Sequence, residues 1–235
     1  MGKQPISFIR RVTGLALIVA MIAGCSTALP TIDTSPDAAV TFDGLHEVQN
    51  SRADKAWARP GVDLSQYSKI MIAGAGIEYR PGGESGRLFY SRSSGGHFAV
   101  TEEQKERLRR YMAKAFLEEL GKSERFTIVD ERGPDVLLIK GALLDVVSYV
   151  PEEPIGNTEI YLSRVGEATL VLEIRDSVTD AIFARAVDRR AAESGAMEFT
   201  RSNRVTNRAE VRRVAKYWAR RLREVLEGQM APAEQ

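Results

Sequence analysis

Residues 164–175 alternate between apolar and polar side chains over the length of a long β-strand, and this pattern strongly constrains the fold. Successive side chains of a strand point to opposite faces, so one face of this strand is apolar and the other is mainly polar. The apolar face carries Ala168, Leu170, Leu172 and Ile174. Residues 182–190 follow after a short turn and are predicted to pair back onto this strand as a hairpin.

Three further strands are predicted before the hairpin. Residues 69–79 form a continuous apolar run, which is typical of a strand covered on both faces. Residues 126–129 and 135–150 give a short strand and a long one.

Two helices are predicted from their start and stop signals. One begins at the capping box of residues 101–104 and ends at Gly121, and the other begins at the similar box of residues 207–210 and ends at Gly228. The fold class is therefore α/β, or α+β, in the order β-α-β-β-β-β-α. We expect a two-layer sandwich, with two helices on one face of a mixed, mostly antiparallel sheet of about five strands.

The beginning of the chain predicts a bacterial lipoprotein signal peptide. A basic segment and a short apolar run lead into Ile22-Ala23-Gly24-Cys25. A peptidase would cut between Gly24 and Cys25, and the thiol of Cys25 would carry lipid. A helix of residues 12–24 would span about 20 Å, short of the roughly 30 Å hydrocarbon core, so a permanent transmembrane anchor is not expected. The pair Arg10-Arg11 leaves twin-arginine export open beside general secretion.

The residue after Cys25 predicts the destination. It is Ser26, whereas an Asp at this position is the inner-membrane retention signal of enterobacteria. We therefore expect the cell outer membrane, with the protein on its periplasmic side. Because Cys25 is the only cysteine, no intramolecular disulfide can form, and stability must come from a core.

The chain divides into four parts on this interpretation: a signal peptide at 1–24, a lipidated N-terminus and flexible tether at 25–50, one globular domain at 51–228, and a disordered tail at 229–235. A coil of 25–50 would have a root-mean-square reach of roughly 25–30 Å. The alternative for its later part, residues 40–48, is an ordered strand lying on the domain.

No residue pattern in the chain indicates catalysis, a metal or a cofactor. The two histidines, His46 and His97, have no clustered ligand spacing, and the usual nucleophile and phosphate-binding motifs are missing. Residues 176–180 are acidic enough to suggest calcium, but an Asx-type turn explains them better.

A glycine-rich loop at 81–96 is the first candidate binding element. It could contact a ligand through Arg87, Phe89, Tyr90 and Arg92, and the alternative is a mobile hairpin or lid.

The last helix is the second candidate, because one side of it is basic. Nine basic residues and one acidic residue lie between Arg201 and Arg223. Five of them lie opposite the apolar arc and could dock an anionic partner: Arg212, Arg213, Lys216, Arg220 and Arg223. The alternative is a solvated face whose arginines pair with acids such as Glu102, Glu103 or Glu118.

The chain resembles a bacterial lipoprotein family known as domain of unknown function 3313. The resemblance rests on residues 57–69, 172–179 and 186–190, and on Trp218-Ala219, landmarks that together cover most of residues 52–226. It implies an envelope location and no assigned activity. Within these landmarks Trp57, Arg59, Tyr67 and Asp176 could bind a partner, although packing and turn roles explain them equally well.

We therefore expect an outer-membrane-anchored periplasmic lipoprotein that acts as a non-enzymatic adaptor or accessory subunit of a cell-envelope assembly. Its partners would be the membrane, through the lipid on Cys25, and an envelope protein; no cofactor and no nucleic acid are expected. The alternative is a periplasmic module that binds a small molecule, lipid or glycan. A sizeable apolar cavity under the loop at 81–96 would favour the binding module, and a flat surface of polarised charge would favour the adaptor.

Overall fold

The computed structural model describes residues 29–81, 97–150, 161–193 and 200–228. Its strands are β1 (Thr31–Ile32), β2 (His46–Gln49), β3 (Lys55–Ala58), β4 (Lys69–Tyr79), β5 (Thr127–Ile128), β6 (Val136–Ser148), β7 (Tyr161–Leu162), β8 (Arg164–Asp176), β9 (Ile182–Glu193) and β10 (Thr200–Arg201). Helix α1 (Glu102–Leu120) lies between β4 and β5, and helix α2 (Arg204–Gly228) follows β10. Eight strands form one sheet in the order β1-β2-β3-β9-β8-β6-β4-β5, and β7 pairs with β10.

The α+β class and a mixed sheet with two helices are confirmed. The predicted hairpin is β8 and β9, with Leu172 opposite Ala186 and Ile174 opposite Ala184. Strand β4 runs parallel to β5 and β6, and the other pairs are antiparallel.

The prediction of about five strands in the order β-α-β-β-β-β-α is wrong, because β1, β2 and β3 extend the sheet beyond β9. These strands have two to four residues each, which is too short for an alternating pattern to show. They form on the free edge of β9, whose backbone groups pair with residues 55–58 of β3.

The expected flexible tether at 25–50 does not hold for the described residues from 29 onward. Here the chain pairs with the sheet, as in the ordered alternative: Ile32 lies opposite Val48, and Val40 bridges to His46. Leu45 is fully buried, and burial of such a side chain fixes the segment on the domain.

Helix α1 confirms the predicted capping box. The Thr101 hydroxyl accepts from the Gln104 N–H, and the Gln104 side chain accepts from the Thr101 N–H. The box expected at residues 207–210 is wrong, since α2 already begins at Arg204. The side chain of Asn203 accepts from the N–H groups of Val205 and Thr206 at 2.9 and 3.0 Å, which makes Asn203 the cap.

The expectation that residues 69–79 are covered on both faces is also wrong. In β4 only Ile70 is buried, and Gly74 to Gly76 are exposed. Both helices pack on one face of the sheet, which we call the helix face and which carries Leu170, Leu172 and Ile174. The other face, the open face, has no helix among the described residues.

A buried carboxylate on the helix face joins the sheet to α2. Asp188 is 6% exposed, and its Oδ2 accepts from the Trp218 Nε1–H at 2.8 Å and from the Arg190 Nε–H at 2.8 Å. The N–H of Asp54, just before β3, donates to Oδ1 at 3.3 Å. Arg190 also donates through Nη2 to Oδ1 at 3.2 Å. Donors from three residues therefore satisfy a charge whose burial alone would be unfavourable.

The open face carries two clusters of ion pairs. Arg185 lies between Glu173 and Asp43, with N–O distances of 2.9 and 2.6 Å. Arg189 lies between Glu167 and Asp145, at 2.5 and 2.8 Å. Hydrogen bonds from Arg80 and then from Arg189 lower the pKa of Asp145 to about 2.

Replacing Trp218 by Phe should lower the free energy of unfolding by about 2–3 kcal/mol, because Asp188 then loses one donor while it stays buried. Trp57→Phe is the matched control, since Trp57 is only half-buried, and we expect a loss below about 1 kcal/mol. Denaturant unfolding of both variants measures this difference. Equal losses would show that the Asp188–Trp218 bond does not anchor α2.

Stability should fall in acid. The pKa of Asp145 is about 2 in the folded protein and about 3.9 in an unfolded chain, so its stabilising effect is complete above pH ~4 and disappears as the pH falls towards 2. The pKa values of Glu173 and Asp43 are lowered too, so these carboxylates also stabilise the fold less as the pH falls. Urea unfolding between pH 6 and pH 3 should show a smaller acid loss in Asp145→Asn than in the parent. Asp37→Asn, which changes an exposed carboxylate, should leave the acid loss unchanged.

Candidate functional site

A cavity of about 720 Å³ lies between the first turns of the two helices and the adjacent ends of β6, β8 and β9. Its walls and floor are formed mainly by apolar side chains from both layers. These include Leu108, Met112, Val211 and Val214 from the helices and Leu143, Val146, Ala168 and Ala192 from the sheet. A cavity of this size accommodates a small organic molecule or an acyl chain.

The part of the sheet that lines the cavity carries small residues. Gly166 of β8 approaches the backbone so closely that a Cβ built on it collides with the carbonyl oxygen of Val147. Ala168 and Ala192 continue the floor with side chains of a single carbon.

Most charged groups that line the cavity already have partners. Arg190 donates to Asp188 and to the Tyr217 hydroxyl, and its guanidinium lies 4.7 Å from the centre of the Tyr217 ring. Glu167 accepts from Arg189, and Arg107 pairs with Glu103.

Two polar groups of the lining have no such partner. The hydroxyl oxygen of Tyr79 and the Nε of Arg208 are buried, and neither has a hydrogen-bond partner in the described part of the chain. Burial raises the pKa of Tyr79, so its hydroxyl is a donor at neutral pH. A buried polar group without a partner is destabilising, and a ligand that accepts hydrogen bonds would relieve this.

The helix termini add positive potential to the cavity. Thr101 and Asn203, which cap α1 and α2, both line it. The N-terminal end of a helix carries a partial positive charge. Together with Arg208 this favours negative charge in the cavity.

Several site residues predicted from the sequence lie outside the described residues. They are the cleavage and lipidation positions Gly24 and Cys25 and the loop residues Arg87, Phe89, Tyr90 and Arg92. Their roles stay predictions.

The basic side of α2 is described, and several of its arginines pair with acids of the same helix. Arg213 pairs with Glu210, Arg220 with Glu224 and Arg223 with Glu227. Arg223 also lies 4.0 Å from a carboxylate oxygen of Glu119 in α1.

The acids named from the sequence as partners for α2 pair within α1 instead: Glu102 with Lys105, Glu103 with Arg107 and Glu118 with Lys114. Each lies three or four residues from its partner, the spacing that brings side chains together on a helix.

The Arg212 guanidinium lies 4.7 Å from the centre of the Tyr111 ring, and Lys216 is exposed. Anionic docking on this face stays a prediction.

Three of the four residues considered for partner binding have side-chain contacts within the domain, and the fourth, Trp57, lies half-buried in β3 opposite Arg185. The Tyr67 hydroxyl donates to Asp176 at 2.7 Å, and Arg59 donates to the carbonyls of Ile182 and Asp43. Asp176 Oδ1 also accepts from the N–H groups of Val178 and Thr179, which is the predicted Asx-type turn.

Neither a metal site nor a membrane-spanning helix is found in the described ranges. No cluster of three or more potential His, Cys, Asp or Glu ligands occurs there, and no helix there has the length and apolar character needed to cross a bilayer.

Sequence reasoning missed Arg208 and Tyr79. A signal existed for Arg208: placed at 100° per residue, it shares the angular position of Leu226 and so falls on the apolar arc of α2. A charged residue inside an apolar arc is a candidate for a buried polar role. Tyr79 ends an apolar strand and gives no comparable signal.

The family model for DUF3313, described as a protein of unknown function, matches residues 35–222. The chain belongs to this family. The match confirms the resemblance seen over residues 52–226, and it assigns no activity. No curated protein matches the sequence.

Several solved structures are similar to the DUF3313 member at low identity. A Xanthomonas campestris protein of family DUF330 has a TM-score of 0.39 and 12% identity, over 73% of this chain and 91% of its own. The PelC dodecamer of Paraburkholderia phytofirmans has a TM-score of 0.33 and 12% identity, over 71% and 92%. A homolog of neuraminyllactose-binding hemagglutinin from Helicobacter pylori has a TM-score of 0.32 and 10% identity, over 71% and 85%.

Gly166→Ala should lower the free energy of unfolding by about 1–3 kcal/mol, because the new Cβ meets a backbone oxygen that cannot turn away. Gly141→Ala is the control: its Cβ comes within 3.3 Å of the Leu172 Cδ2, which can move. We expect a loss below about 1 kcal/mol for Gly141→Ala. Urea unfolding compares the two, and an equal effect would contradict the close approach at Gly166.

Proposed function

We propose that this chain is a lipid-anchored envelope protein whose domain binds a small amphipathic anion in the cavity between its helices and sheet, without catalysing a reaction. The observation that supports this most is the cavity itself, about 720 Å³ in volume and mainly apolar in its lining. Such a cavity is the feature that distinguishes a binding module from an adaptor with a flat surface.

The chemistry of the lining defines the class of ligand. Side chains such as Met112, Val211 and Val214 suit an acyl chain or an apolar ring system. Arg208 lacks a carboxylate partner among the described residues and suits a carboxylate or phosphate group. The ligand is therefore apolar over most of its length and anionic at one end.

The location is proposed from the sequence. Lipid on Cys25 would hold the protein in the membrane, and Ser26 favours the periplasmic side of the outer membrane. A periplasmic module at this membrane would meet amphipathic anions at a lipid surface.

An adaptor role in an envelope assembly is the second candidate. Its support is the exposed basic side of α2, where Arg212 and Lys216 have no carboxylate partner among the described residues. An acidic surface of an envelope protein would fit this side.

The binding proposal is tested with a fluorescent fatty acid titrated against the purified protein. We expect saturable binding at one site per chain. Val211→Trp should weaken it at least tenfold, because the larger ring occupies the cavity. Val225→Trp is the matched control: Val225 lies on the same helix but is 44% exposed and does not line the cavity, so binding should not change.

The anionic end is tested with Arg208→Gln, beside Arg220→Gln as a control on the exposed side of the same helix. Loss of a charge-assisted hydrogen bond should lower the affinity for the fatty acid by about 10–100-fold. The affinity for its methyl ester should not change. Equal weakening of acid and ester would place the anionic group elsewhere. No saturable binding in the parent would overturn the proposed function.

A further inference from the structure

The segment that follows Cys25 exposes an unusual amount of apolar surface. Among the described residues it holds four large exposed apolar side chains within fourteen positions: Leu29 at 80%, Ile32 at 36%, Val40 at 53% and Phe42 at 97% exposure. The other six such residues are spread from Leu117 to Val225. Single exposed apolar residues are ordinary, whereas a group of them marks a contact surface.

Strand register brings two members of this group together and places the other two along the same edge. Ile32 lies opposite Val48 and Val40 opposite His46, so both lie on the outer edge of β2, two residues apart. Two residues of a strand span about 7 Å. Leu29 precedes β1, and Phe42 lies in the turn after Val40. We call these four residues the edge patch.

Phe42 lies in a turn whose neighbouring residues are hydrogen-bonded to the domain, and its side chain is exposed to water. The N–H of Leu45 donates to the Thr41 hydroxyl at 2.9 Å, and the Asp43 carbonyl accepts from Arg59 at 2.7 Å. The Asp43 carboxylate pairs with Arg185 at 2.6 Å. The residues on both sides of Phe42 are thus held by contacts with the domain, while its own side chain is 97% exposed.

The edge patch lies close to the proposed anchor. Three residues lie between Cys25 and Leu29, and even in a fully extended chain the four steps from Cys25 to Leu29 span at most about 14 Å. The headgroup layer is roughly 5–8 Å deep on each side of the hydrocarbon core. A lipid on Cys25 therefore confines this edge of the sheet to the immediate neighbourhood of the bilayer.

We infer that the edge patch inserts into the headgroup layer of the membrane that holds Cys25 and orients the domain with its β1 edge towards the bilayer. This rests on the lipid anchor of the proposed function. The attraction is apolar, since residues 26–51 contain no Lys or Arg and four acidic residues. Insertion should therefore occur on uncharged vesicles.

Spin labels test the inference, and the chain suits this method because the thiol of its only cysteine carries the lipid. The lipidated full-length Phe42→Cys variant is labelled and reconstituted in phosphatidylcholine vesicles. Val205→Cys is the control, 74% exposed and located at the start of α2. Collision rates with oxygen, which is concentrated in lipid, and with a water-soluble nickel chelate give the depth of each label. The mass of the N-terminal peptide reports lipidation of Cys25 independently.

We expect the label at position 42 to collide several-fold more with oxygen and several-fold less with nickel than the label at position 205. If the label at position 42 is as accessible to nickel as the control label, on protein whose N-terminal peptide has the mass of the lipidated form, the inference is overturned and the proposed function is not. The inference is also overturned if the label at position 42 is shielded from both reagents and lies close to the same label on another copy. A second chain, and not lipid, then covers the edge patch. Absence of the acyl mass overturns the anchor, and with it the inference, but leaves ligand binding intact.

Discussion

The arrangement of this domain depends on the carboxylate of Asp188, which is buried between sheet and helix. A buried charge is tolerated only when donors surround it, and here the donors come from α2, β9 and the segment before β3. The same contacts therefore fix the last helix and the N-terminal strands relative to the hairpin. Trp218, the donor from α2, also lines the cavity. The hydrogen bond between Asp188 and Trp218 thus defines one end of the cavity.

The cavity lies between the two layers, from Trp218 towards the first turns of α2. Further along, Ala215, Ala219 and Leu222 of α2 are buried in the common core. In its first turns the helix faces Ala168 and Ala192 across the cavity. Two single-carbon side chains cannot fill the space that a leucine pair would fill, and at Gly166 the backbones of β8 and β6 come too close for any side chain. Small residues on the sheet are as important for the site as the side chains that would contact a ligand.

Much of the fold could be predicted from local patterns, and the remainder depends on contacts distant in sequence. The alternation of residues 164–175 and the capping box at Thr101 are local, and both are confirmed. Strands β1 to β3 form because β9 offers a free edge, which no window of their own sequence reveals. The cavity was equally hidden, because its lining comes from six separate elements. Arg208 alone gave a local signal, as a charge on an apolar arc.

Edge strands need protection, because their free backbone groups can pair with other chains. In this sheet the outer edge at β1 is short, lacks Lys and Arg, and carries exposed apolar side chains. It therefore lacks the basic residues, Lys above all, that usually deter pairing at a sheet edge. If this edge meets the bilayer, lipid headgroups would cover its free backbone groups. The lipid on Cys25 would then keep the strands of other chains away from it.

The cavity involves the far end of β9, at Arg190 and Ala192, beyond the residues that pair with β3. An orientation set by the edge patch would therefore separate the membrane contact of the domain from its ligand site.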